Sequence, residues 1–170
     1  MARAAKPIPE GYQTVTAMLT YDDCASALDW CQQALGAQEL SRSVGPDGKI
    51  MHAEIQLGNS RVMMHDAMMG YKGAKSLGGS PANLWIYVED CDALFDRAVK
   101  TGGANVTMPM ADQFWGDRCG SFTDPQGFSW TIATRVEDLT PEEMGERAEE
   151  FFKQFAGQQQ PQTKTAGSGA

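Results

Sequence analysis

The feature that most constrains this chain is an internal repeat. At an offset of 67 residues, Asp23 aligns with Asp90, Cys24 with Cys91, Asp29 with Asp96, and Gly36-Ala37 with Gly103-Ala104. In each copy an acidic residue precedes an amphipathic run and a glycine ends it. That is the order of an N-capped helix with a glycine stop. A unit that recurs in register predicts two copies of one supersecondary element, each leaving a sheet that must be covered.

The stretches around the two helices complete the unit. Residues 1–11 read as a Pro/Gly-containing arm. Residues 12–21 are rich in β-formers and read as a strand. After the helix at 24–35, residues 37–44, 49–57 and 61–65 read as strands separated by the turns Gly45-Pro46-Asp47-Gly48 and Gly58-Asn59-Ser60. Residues 12–66 thus form a first βαβββ module. Residues 67–82 are glycine-rich and connect it to a second module at 83–134: a strand at 83–88, a helix at 91–101, a short strand at 104–108, and a hairpin of 119–123 and 128–133 about Asp124-Pro125-Gln126-Gly127. The predicted fold class is α+β, with two tandem βαβββ modules whose concave mixed sheets enclose a cavity, helices outside. Residues 135–156 carry a C-terminal helix that opens on a capping box, Thr140-Pro141-Glu142-Glu143. Met144, Ala148, Phe151, Phe152 and Phe155 give this helix an apolar face, to pack on its own domain or on a second chain. The low-complexity residues 157–170, GQQQPQTKTAGSGA, are expected to be disordered.

Composition removes several function classes. A net charge of −8 without a basic patch excludes recognition of nucleic-acid phosphates. No apolar run approaches the ~18–20 residues that span a bilayer. The first residues lack the apolar segment of a signal peptide, so a cytoplasmic location is expected. Cys24, Cys31, Cys91 and Cys119 form no CxxC pair and read as small buried thiols.

Residues 112–134, DQFWGDRCGSFTDPQGFSWTIAT, resemble the closing hairpin of the glyoxalase/bleomycin-resistance/extradiol-dioxygenase (vicinal oxygen chelate) superfamily, in particular its PhnB-type branch. The resemblance covers roughly residues 12–140 and implies the same tandem βαβββ arrangement. In many relatives His, Glu, His and Glu from four strands hold a divalent ion. The corresponding positions here are Thr16, Glu54, Asn83 and Thr131, of which only Glu54 is a good ligand. Both histidines, His52 and His65, lie in the first module. No cofactor is therefore expected, and a hard divalent ion held loosely by Glu54 is left open.

The candidate ligand-binding residues are Glu54, Trp85, Tyr87, Trp115, Arg118 and Trp130. Glu54 alternates with His52 and Gln56 on one strand face, either a polar cavity wall or a solvated outer face. His65, beside Asp66, reads as a paired, partly exposed histidine. Trp85 and Tyr87 share one strand face, Phe128 and Trp130 another, and either pair suits core or ligand. Trp115 sits in a Gly-Asp-Arg loop that core packing explains less easily. Arg118 suits an anionic or carbonyl ligand, or an ion pair with Asp117 or Asp124. The functional expectation is a PhnB-like protein binding a small organic molecule in an aromatic-lined cavity, with or without metal-independent catalysis. The alternatives are a divalent-metal-dependent lyase or dioxygenase, and a non-catalytic structural or regulatory dimer. A homodimer is expected from the half-covered sheets and the Phe-rich terminal helix.

Overall fold

A computed structural model describes residues 5–158. The first module runs β1 (Ala17–Tyr21), α1 (Cys24–Trp30, continued by a π-helical turn, Cys31–Leu35), β2 (Gln38–Val44), β3 (Ile50–Leu57) and β4 (Ser60–Asp66). The connector holds a one-turn helix, α2 (Ala74–Leu77), where only loop was expected. The second module runs β5 (Asn83–Tyr87), α3 (Cys91–Thr101), β6 (Asn105–Asp112), β7 (Asp117–Thr123) and β8 (Ser129–Arg135), and α4 (Pro141–Gln158) follows. The sheets have equivalent orders, β1-β4-β3-β2 and β5-β8-β7-β6, each with one parallel pair (β1 with β4, β5 with β8) and two antiparallel pairs. The two tandem βαβββ modules of the predicted α+β fold are present.

The repeat is visible atom by atom. Asp23 accepts a hydrogen bond from Ser26 N at 3.0 Å, and Asp90 from Ala93 N at 2.9 Å. The amide that opens each helix is claimed by the last strand of its own sheet: Cys24 N donates to Asp66 Oδ1, and Cys91 N to Thr134 Oγ1. Both helix starts are thus satisfied twice over, by the cap and by the sheet. Gly36 closes the first helical segment at φ +70°.

The helix-covered faces of both sheets meet in one core. Trp30 stacks edge-on against Phe122 at 5.9 Å, and Phe95 meets the same ring at 5.7 Å. Trp30 Nε1 donates to Gly102 O and Arg97 Nε to Ala34 O, so each module's helix is tied to the other's. The deepest polar junction is Asp124. It accepts from Gln126 N and Phe128 N within its turn, from Trp130 Nε1 at 3.0 Å, and from Tyr21 OH of the first module at 3.1 Å. Burial pushes the Asp124 carboxyl up, and these donors pull against it.

Boundaries differ where local chemistry was misjudged. Strand β1 begins at Ala17 rather than Tyr12, because residues 12–16 belong to the arm. Strand β6 runs on to Asp112 through Pro109, which two register irregularities accommodate. Strand β7 begins at Asp117, which moves Asp117 and Arg118 out of the loop. The expected capping box is present: Glu143 N donates to Thr140 Oγ1, and Thr140 N to Glu143 Oε2. Phe151 and Phe152 of α4 pack on Phe114 of the β6–β7 loop, at 5.1 and 6.2 Å. The Phe155 side chain and residues 159–170 lie outside the described residues. No helix among the described residues is long and apolar enough to cross a membrane.

Candidate functional site

Because the helix-covered faces meet each other, the opposite face of each sheet is left open. In the first sheet, cross-strand partners put Met18, Thr20, His52, Glu54, Gln56, Arg61, Met63 and His65 on that face. In the second, Asn83, Trp85 and Tyr87 share the open face with Ser129, Thr131 and Ala133 of β8. Between the modules, along the outer edge of β5, runs a cleft of about 680 Å³. Leu84 to Val88 form one wall, Ser60, Arg61 and Val62 form part of the other, and Leu35, Leu94 and Trp130 border it.

The six candidate residues divide sharply. Trp85 and Tyr87 line the cleft and are 43% and 61% exposed, so their rings are available to a ligand. They lie 6.2 Å apart. Trp130 also borders the cleft but is buried, its indole N–H committed to Asp124. Trp115 does not line the cleft. It is joined to Tyr87 through Asp117, whose Oδ2 accepts both Trp115 Nε1 at 3.0 Å and Tyr87 OH at 2.8 Å. The Asp117 carboxylate raises the Tyr87 pKa above the ordinary phenol value.

Arg118 lies on the other side of the sheet. Its Nε and Nη2 grip both oxygens of Asp92 at 2.7 Å, and Nη1 reaches Asp112 at 3.0 Å. Neither Asp117 nor Asp124 is its partner. Alternation explains the side: in a strand that starts at 117, Arg118 shares a face with Gly120 and Phe122, against α3. Arg118 is therefore not brought to the cleft.

Glu54 sits on the open face of the first sheet but does not line the cleft. His52 Nε2 lies 3.1 Å from Oε1, and Arg61 Nη1 3.6 Å from Oε2. A hydrogen bond from the Tyr12 hydroxyl, then one from His52, hold its carboxyl below the usual range. His65 is 5% exposed, more buried than its sequence suggested. Its Nδ1 donates to Asp66 O at 2.8 Å, which leaves Nε2 to accept from Thr20 Oγ1 at 3.1 Å.

The four positions that correspond to the relatives' metal ligands do not make a metal site. The Thr16 hydroxyl donates to Gln13 O, and Asn83 Nδ2 donates to Thr131 Oγ1, which is also bonded to Ser121 Oγ. Glu54 has an arginine beside it. Each of these groups already has a partner, and none but Glu54 carries charge, so the set does not fit a transition-metal ion. The thiols offer no substitute. All four are buried, and desolvation pushes Cys24 up to about 12.

Sequence reasoning missed two residues. The sequence places Asp117 in the loop before the hairpin, although Asp117, Cys119 and Ser121 alternate correctly for one strand face. Arg61 reads in the sequence only as the first residue of a returning strand.

The family model for the Glyoxalase/Bleomycin resistance protein/Dioxygenase superfamily matches residues 13–132. The chain belongs to this superfamily. An uncharacterized protein of Mycobacterium tuberculosis H37Rv is 40% identical over 131 residues, covering 74% of this chain and 76% of the relative. Among solved structures, TioX from Micromonospora sp. ML1 aligns with a TM-score of 0.58 at 26% identity, over 75% of this chain and all of TioX. The PhnB protein of Bacillus cereus shares the superfamily fold at a TM-score of 0.57 and 17% identity, over 72% of this chain and 99% of its own.

Proposed function

We propose that this superfamily member binds a small organic molecule in the cleft along β5, without a transition metal, and does so as a homodimer. The observation that carries the reading is the exposure of Trp85 and Tyr87 on the wall of a cleft of about 680 Å³, a size usual for small-molecule sites. Large aromatics left exposed at the rim of an apolar concavity are costly unless something covers them. Tyr87 is also anchored through Asp117, which fixes its ring at little further entropic cost on binding. The dimer is supported by the open face of the first sheet, where Met18 is exposed.

Nile red, a neutral aromatic dye that brightens in apolar surroundings, tests the reading. Saturable enhancement is expected with the intact chain. Trp85→Ala should weaken it about tenfold, as removal of a well-packed aromatic anchor does, with circular dichroism unchanged. Enhancement that is absent, or indifferent to Trp85→Ala, would remove the cleft from consideration.

A further inference from the structure

We infer that the ligand of this cleft is an amphipathic anion, an aromatic body bearing a carboxylate-like group, and that Arg61 binds that group. The inference rests on the cleft being the binding site. Among the described residues, Arg61 is the single charged one lining the cleft, in a chain whose net charge is −8. No Asp or Glu among the described residues lines it. The polar remainder is neutral, chiefly Gln13, Asn59 and Ser60.

The guanidinium is held by Tyr12 and by Glu54, but one of its nitrogens is left over. Its Nε is buried and has no hydrogen-bond partner among the described residues. Buried N–H groups are nearly always paired, so an orphaned one marks a position where a partner is missing. The nearest carboxylate, Glu54, stands 3.6 Å from Nη1, outside direct hydrogen-bond range, and is shared with His52 and Tyr12. The Tyr12 ring lies over the guanidinium carbon at 4.8 Å and fixes its plane.

Gly11 covers the Nε–Nη2 edge. A Cβ there would stand 2.7 Å from both nitrogens, and the backbone is at φ +82°, so glycine alone fits this contact. That edge is the one an arginine offers to a carboxylate in a bidentate pair. The arm covering it is an exposed segment, with one long backbone turn, Tyr12 N to Pro9 O at 3.4 Å, and the Tyr12 side chain resting on Arg61 and Glu54. Displacing Gly11 opens the Nε–Nη2 fork to an anion, while Trp85, Tyr87 and the apolar wall of Leu84 and Ile86 take the hydrophobic body.

Naphthalene-1-acetate and naphthalene-1-acetamide share a ring and differ in charge, so binding of each to the full chain by titration calorimetry tests the inference. The acetate should bind about tenfold tighter than the acetamide, the scale of one charge-assisted hydrogen-bonded contact. Arg61→Gln should abolish that preference, weakening the acetate about tenfold more than the acetamide. If Arg61→Gln fails to fold, Arg61→Lys, which keeps charge without the fork, should narrow the preference instead. Equal affinities in the parent protein, or a preference that survives loss of the arginine, would overturn the anion assignment and leave the cleft reading intact. Binding of neither probe would overturn the cleft reading itself, and this assignment with it.

Discussion

Asp124 and Arg118 show how differently two ionic residues at the two ends of β7 behave. Asp124 is buried and accepts four donors from three directions, one of them across the module boundary. Asp124→Asn would turn an amide NH2 toward two of those donors. The expected loss is about 2–4 kcal/mol, because buried donors left facing another donor are not rescued by water, and chemical denaturation measures it. Arg118, by contrast, holds exposed acids on the outer surface. Arg118→Ala should leave probe affinity in the cleft within about twofold, since such pairs are screened and remote from it. The sequence revealed that both residues mattered to this hairpin, but not how. Asp124 was legible only as a turn residue, because its partner Tyr21 lies in the other module. Arg118 reads in the sequence as a ligand donor because residues 114–118 look like loop, where alternation assigns no face; as part of β7 it shares the α3 side with Gly120 and Phe122.

The elements were largely legible, because their signals are local. The aspartate caps, the glycine at the end of the first helix and the capping box of α4 each satisfy backbone groups within a few residues of themselves. The arm was not legible, because what orders it is a contact with β4. Tyr12 and Gly11 lie against Arg61, and Tyr12 bonds Glu54. This gives a pH signature. The Glu54 pKa is lowered in the folded state, so its ionised form contributes stability that is present above the unfolded carboxylate value. That contribution is lost as pH falls through the lowered pKa. Melting temperatures of the parent and Glu54→Gln should therefore differ at pH 7 and converge in acid. A difference that persists unchanged at acid pH would mean that Glu54 acts through packing rather than charge.

At the scale of the molecule, the repeat predicted both modules and both sheets. It did not reveal that the helix-covered faces would bury each other, because that depends on Trp30, Phe95 and Phe122 meeting across the boundary. Light scattering at micromolar concentration should show a dimer, and a monomer alone would refute the pairing of open faces or edges between chains. Metal analysis of protein purified without an affinity tag should find well under one equivalent of transition metal, because Thr16, Asn83 and Thr131 are neutral groups already hydrogen-bonded within their own modules. A full equivalent that disappears in Glu54→Ala would restore the metalloenzyme alternative. The central claim, that the ligand sits against β5 between the modules, is tested most directly by nuclear magnetic resonance. Titration with naphthalene-1-acetate should shift amides of Ser60–Val62 and Leu84–Val88 together. Shifts confined to the α3 surface around Asp92 and Arg118, or to the Phe114–α4 contact, would contradict it.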